Sequence, residues 1–267
     1  VKNWRVYRSR FIEPIRINAG VKFWKANRAT LQRASQEFGV PPEVIVGIIG
    51  VETIYGRYMG NFRVLDALTT LTFDYPDTPN RDSRQATFRK NLEDFLVWTR
   101  DSQLDPTTVL GSYTGAIGIP QFLPSSIREY AVDYDGGGHV DLRSSPADAI
   151  GSVANYLKQH GWETDRPVVW RITPDTGSLG IAQAAADGQP EPHWALSQLL
   201  RAGMTLNEPT VTITTEAGTP VTVVDLPSPG HATEYMLGLK NFYVLTRYNR
   251  SFFYALSVYQ LGEAVKA

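Results

Sequence analysis

Glu52 is the residue whose setting in this sequence most needs a chemical explanation. It directly follows Val44–Val51, a run of valine and isoleucine broken only by Gly47 and Gly50. Pro41-Pro42-Glu43 just ahead is a helix-start signal, because proline fits a first turn and an acid suits the positive N-terminal end. The spacing predicts a helix over Pro42–Tyr55, with Gly56 as its stop. A helix that is apolar on nearly every face is buried on most sides. Burial disfavours the charged form of a carboxylate and raises its pKa, and a carboxyl that keeps its proton near neutral pH can serve as a general acid.

A structural glutamate paired with Arg57 would occupy the same position. The neighbours weigh against that reading. Gly47 and Gly50 each cost about 1 kcal/mol relative to alanine inside a helix, so something else must approach closely there. Thr53, Tyr55 and Gly56 then set polar and aromatic groups beside the acid. Glycosidases that use two carboxylates need a second acid across the cleft. Asp66, Asp74 and Asp133 are available, but none has a comparable apolar context. One strong acid without an evident partner points to single-acid or substrate-assisted chemistry.

Other chemistries find little support. The chain has no cysteine, which removes a thiolate nucleophile, a cysteine-ligated zinc and any disulfide. His139, His160, His193 and His231 are scattered, form no His-Glu-x-x-His pair and adjoin no serine elbow. Gly111–Gln121 is punctuated by glycine but lacks the terminal Gly-Lys-Ser/Thr of a phosphate-binding loop. Its hydroxyl, amide and aromatic groups suit an uncharged sugar ring. Asp133–Asp141 opens like an EF-hand loop, with Asp133, Asp135, Gly138, His139 (through its carbonyl) and Asp141 in the first, third, sixth, seventh and ninth places. Gly137 stands in the fifth place and Ser144 where a bidentate glutamate belongs. A structural Ca²⁺ and a metal-free Asx turn are both open readings.

The elements that must position these groups are mostly helical. Hydrophobic residues make up 42% of the 267 and charged residues 20%, the balance of one large folded domain or two moderate ones. With 26 basic and 27 acidic side chains and no strongly basic run, there is no electrostatic footprint for nucleic acid or an anionic membrane. The longest apolar run is far too short to span a bilayer. Helical spacing covers the stretch up to Gly39, then Leu65–Leu71, Phe88–Arg100, a segment starting at Pro124, and Ala147–His160, with Asp77–Arg84 as a polar loop. After Trp162 the composition changes. Residues 173–193 are rich in Pro, Gly and Asp around a short alanine-rich helix, and Val211–Thr215 with Val221–Leu226 reads as a hairpin turning at Ala217-Gly218. Aromatic elements return at Tyr235–Gln260. The fold class predicted is mainly α (α+β), with a small late β region.

Gly50-Val51-Glu52-Thr53-Ile54-Tyr55-Gly56 resembles the catalytic motif of the membrane-bound lytic transglycosylase B family of bacterial murein-cleaving enzymes. The resemblance continues through Leu65-Asp66-Ala67-Leu68, the whole of 111–126, Asp148–Tyr156, His160-Gly161-Trp162, Asn241-Phe242-Tyr243 and Thr246-Arg247-Tyr248-Asn249. It implies a lysozyme-like helical core over 39–162 with 231–267, a further α region over 1–38 with 163–200, and a small β domain over 201–230. The implied substrate is the peptidoglycan strand of alternating N-acetylmuramic acid and N-acetylglucosamine, cut without water to leave 1,6-anhydromuramic ends. Glu52 is then the sole acid and base, and catalysis needs no cofactor.

Carried over position by position, Ser112 and Gln121 match groups near the acid and the sugar N-acetyl. Phe122 and Tyr156 match aromatics lining the cleft, and Asn241, Tyr243 and Tyr248 match cleft-facing residues of a C-terminal motif. The family's arginine pair is represented by Arg84, with Arg81 as a substitute. The family's acidic loop is closed by a later aspartate, which is Asp148 here. The resemblance further implies a monomer in the periplasm, soluble or held to the outer membrane by a lipid upstream, working beside cell-wall synthesis enzymes. A muramidase that uses water and a non-catalytic peptidoglycan-binding protein are the alternatives.

Overall fold

The computed structural model describes residues 1–209 and 217–266. The chain packs as two units, one of residues 18–159 and one of residues 1–17 with 160–267. Strand Val169–Arg171 pairs with Glu234–Gly238, and such long-range pairing gathers the late segments into one unit.

The unit of residues 18–159 is helical. After α1 (Trp4–Ser9) and α2 (Pro14–Ala26), whose length straddles the boundary, come α3 (Arg28–Phe38) and α4 (Pro42–Thr53). Gly39 takes the left-handed conformation that ends α3, at φ 72°, and its N–H donates to the Ser35 carbonyl. In α4 every residue from Val44 to Val51 is buried. Two strands, β1 (Phe62–Arg63) and β2 (Leu110–Gly111), pair antiparallel around α5 (Val64–Phe73) and α6 (Arg81–Asp101). Helix α6 begins within the segment read as the polar loop Asp77–Arg84, because its first two turns are polar and give no apolar period. Helices α7 (Pro124–Tyr130) and α8 (Pro146–Gln159) complete the unit. Leu31, Val44–Ile49, Leu68, Phe95, Ile150 and Val153 form its buried interior.

The second unit is built on a sheet. Strands β3 (Val169–Arg171), β4 (Trp194–Ala195), β5 (Pro220–Leu226) and β6 (Glu234–Gly238) form an antiparallel sheet in the order β3-β6-β5-β4. Helices α9 (Thr176–Ala185) and α10 (Leu196–Arg201) contribute Ala182, Ala185, Leu196 and Leu199 to a cluster with Trp170, Val221, Val223 and Leu237. Thr222 and Val224, of opposite parity, are buried as well, so β5 is covered on both faces. The expected hairpin partner Val211–Thr215 lies outside the described residues. Among the described residues the remaining helices are α11 (Lys240–Tyr248) and α12 (Phe252–Lys266), and α1 packs on the latter through Trp4 and Phe253, ring centroids 5.3 Å apart. Among the described residues no helix is long and apolar enough to cross a membrane.

Candidate active site

Helix α4 carries Glu52 to its last turn and stops one residue later. Its C-cap is Ile54, at φ 49° and ψ 55°, and Tyr55 follows at φ 59°. The stop therefore comes before Gly56, and two bulky residues hold a left-handed backbone that costs of order 1–3 kcal/mol each. Such strain persists only where the surroundings over-determine it, and here they do. The Thr53 hydroxyl, buried, donates to the Ile119 carbonyl at 2.8 Å and accepts the Gly56 N–H at 2.9 Å. The Tyr55 ring packs on Phe23, centroids 5.1 Å apart. This geometry leaves Glu52 half-buried at the end of a helix that is apolar on nearly every face. The chain turns away immediately behind the acid, which opens that side.

The loop fastened by Thr53 is the glycine-punctuated one. Ser112 Oγ accepts the N–H groups of Thr114 at 3.2 Å and Ala116 at 3.0 Å, which curls the loop on itself. Ile117 and Phe122 form an isolated antiparallel bridge, and the Ile119 N–H donates to the Leu142 carbonyl at 2.8 Å. Gly118 sits at φ +79°, and a Cβ there would lie 2.4 Å from that carbonyl oxygen, so only glycine fits. Gln121, left-handed at φ 54°, donates through Nε2 to the carbonyls of Gly118 at 2.9 Å and Met59 at 3.2 Å. It thereby joins the loop to the segment that leaves Glu52. Thr53 and Gln121 thus tie the segment around Glu52 to the loop that Ser112 curls.

Phe122 and Tyr156 are placed differently from the cleft-lining expectation. Phe122 is 1% exposed and Tyr156 8%, with ring centroids 5.6 Å apart, and Tyr130 meets Tyr156 edge-on at 5.1 Å. They form a buried aromatic stack beneath the loop, because α8 presents Tyr156 to the core together with Val153 and Leu157. Of the acids weighed as a second carboxylate, Asp66 pairs with Arg63 at 2.6 Å and Asp133 accepts the Gly137 and Gly138 N–H groups.

The acidic loop gathers the carboxylates of Asp133, Asp135 and Asp148 within 4.8 Å of one another. Asp148 is fully buried in the first turn of α8, and its oxygens accept the N–H groups of Tyr134 at 2.7 Å, Asp135 at 3.1 Å and Asp141 at 2.8 Å. The Ser145 hydroxyl and the Gly137 amide hold the Asp135 carboxyl below its ordinary range. Asp141 stands apart from the cluster because its Oδ1 caps the N–H groups of Arg143 and Ser144. His139 is exposed and its ring does not join the cluster. Three clustered oxygen donors, one of them buried, fit a hard cation such as Ca²⁺.

A family model described as a transglycosylase SLT domain matches residues 1–263. The chain belongs to that family. It is 45% identical over 265 residues to the membrane-bound lytic murein transglycosylase B of Escherichia coli, covering 98% of this chain and 67% of that protein. Among solved structures, a soluble lytic transglycosylase of Pseudomonas aeruginosa matches at TM-score 0.87 and 46% identity over 99% of this chain and 83% of that one. A lytic transglycosylase of Escherichia coli solved in complex with calcium matches at TM-score 0.85 and 43% identity, covering 98% and 78%. The lysozyme-like, mainly α architecture expected from the sequence is the architecture of this lytic transglycosylase family.

The other expected site residues of this family member divide between the two units. Arg84 is exposed on α6, its guanidinium 5.1 Å from the Phe88 ring centroid and 3.4 Å from the Tyr75 hydroxyl. Asn241, Tyr243 and Tyr248 belong to the sheet-bearing unit. Asn241 is fully buried, and its amide accepts the Glu163 N–H and donates to the carbonyls of Glu163 and Arg166. That side chain is occupied in holding the 163–166 turn. Tyr248 stacks on Tyr254 at 6.4 Å, and Tyr243 lies half-buried on α11 between Lys240 and Arg247. Sequence reasoning missed the bracing role of Thr53 and the left-handed Ile54 and Gln121. Nothing in a single sequence marks a non-glycine residue for positive φ.

Proposed function

We propose that this lytic transglycosylase cleaves the β-1,4 bond between N-acetylmuramic acid and N-acetylglucosamine without water, with Glu52 as its one acid and base. The observation that carries this is the half-buried Glu52 at the strained end of an apolar helix, braced through Thr53 to the loop of Ser112 and Gln121. Protonated Glu52 donates to the glycosidic oxygen as the C1–O bond breaks, and the N-acetylglucosamine leaves with that proton. The resulting carboxylate takes the proton of the muramic C6 hydroxyl while O6 bonds to C1. Glu52 ends as it began, no water is consumed, and a 1,6-anhydro ring closes. Ser112 and Gln121 shape the wall beside the acid, and the peptidoglycan substrate places the work in the periplasm.

Asp133, Asp135 and Asp148 would hold a structural Ca²⁺, which would neutralise their clustered charge and tie the loop to α8. The relative solved with calcium supports that assignment. The cation takes no part in the proton transfers.

Mass spectrometry of products released from purified sacculi tests the reaction. Fragments one water lighter than hydrolytic products are expected, and reducing ends would overturn the transglycosylase step. Glu52→Gln should lower release by about 10³-fold or more, since a general acid contributes typically 10²–10⁴-fold and here also returns as base. Unchanged release in that variant would remove Glu52 from the mechanism.

A further inference from the structure

The sheet-bearing unit contains two adjoining cavities, of about 470 and 380 Å³, both lined by Tyr243 and Glu191. Lys240, Tyr243 and Arg247 are spaced three and four residues apart on α11, which puts them on one helix face. The Lys240 ammonium lies 5.1 Å from the Tyr243 ring centroid and the Arg247 guanidinium 5.9 Å, so the aromatic ring is flanked by a cation on each side. Arg166 lines the first cavity and Arg250 the second. Against these four cations stand two acids, Glu191 and Glu163, the latter 4.0 Å from the Arg166 guanidinium, which leaves the lining with an excess of two positive charges in a chain whose net charge is -1.

We propose that this groove around Tyr243 binds the peptide attached to the glycan strand, not the sugar, and so reads the free carboxylates of that peptide. The inference rests on the peptidoglycan reading above and goes beyond it in naming which part of the substrate this face takes. Carboxylates match ammonium and guanidinium donors in charge and geometry. An uncharged sugar would not need four cations. Glu163 and Glu191 offer acceptors to the N–H groups and free amines that a peptide carries beside its carboxylates and a polyphosphate lacks. Leu239, Pro192 and Pro220 add apolar wall for peptide side chains. The combined volume suits a segment of a few residues.

The test uses the Glu52→Gln protein, so that no probe is cut, and calorimetric titration with two probes. One is the peptidoglycan disaccharide carrying its peptide, and the other is the same disaccharide with the peptide removed. Lys240→Gln combined with Arg247→Gln should weaken binding of the first probe about five- to tenfold, the loss expected for two partly exposed charge-assisted contacts. Binding of the second probe should not change. Raising the salt should erode only the preference for the peptide-bearing probe. Equal weakening of both probes, no weakening of either, or no binding of either by the parent protein would overturn the proposal. Arg166→Gln with Arg250→Gln makes the same demand from the opposite walls, should the α11 pair fail to fold. Product analysis with the unmutated protein reads the cleavage reaction separately, so failure of one reading is distinguishable from failure of the other.

Discussion

Thr53, adjacent to the catalytic candidate, does the bracing that keeps Glu52 in place. Its hydroxyl is 1% exposed and bonds two backbone groups of different segments. Thr53→Val preserves shape but leaves the Ile119 carbonyl and the Gly56 N–H unsatisfied, and should cost about 1–3 kcal/mol in denaturant unfolding. Asp94 offers a second test, with a pH signature. Burial pushes its carboxyl up, but hydrogen bonds and charge from Lys90, at 2.6 Å, and from Arg128 outweigh that and hold it below the ordinary range. A carboxyl depressed in the folded state stabilises the protein above its unfolded pKa and loses that contribution as pH falls through the folded value. Asp94→Asn should therefore cost about 1–2 kcal/mol at pH 6–8, and the gap to the parent protein should close below about pH 4. A gap that widened in acid would contradict the assignment.

Helix ends and tight loops, more than helix interiors, shape the candidate active site. The apolar run of α4 made the helix legible, and its length was read two residues too long. The stop lies at Ile54, imposed by Thr53 and the 111–121 loop, with no local signal. The β1–β2 pair fastens that loop, and Gly60 makes it fit. Gly60 has φ +85°, and a Cβ would meet the Gly111 carbonyl oxygen at 2.1 Å. Gly60→Ala should destabilise by about 3 kcal/mol and lower turnover, since backbone strain and a backbone clash act together. Gly180, inside α9 with nothing within 4 Å of an added Cβ, is the contrasting case. Gly180→Ala should stabilise by about 0.5–1 kcal/mol through helix propensity alone, and a thermal melt of the two variants reads the difference.

For the whole protein, the acidic loop is the natural lever on stability. Calcium that binds only the folded chain adds RT ln(1 + [L]/Kd). For a site of about 0.1 mM affinity, within the weak extracellular range, 1 mM calcium contributes about 1.4 kcal/mol and raises Tm by about 3–5 °C. Asp148→Asn should abolish that increment. An identical Tm in calcium and in chelator would return the loop to a metal-free Asx turn.

The placement of Glu52 at the end of an apolar helix, the helical class of residues 18–159, the acidic loop and the family were all legible in the sequence, because each rests on local spacing or contiguous motifs. The clustering of Asp133 and Asp135 was readable for the same reason and that of Asp148 through the family resemblance, whereas the capping by Asp141 was not. The strands β3 and β4 escaped notice, and β6 stayed open between helix and strand, since they run two to five residues and owe their existence to partners distant in the chain. Phe122 and Tyr156 were read toward the cleft and lie in a buried stack, and Asn241 is engaged by the backbone of Glu163 and Arg166. A side chain's type limits which contacts it can make. Which of them it makes depends on what the rest of the chain packs against it, and only the tertiary structure decided that.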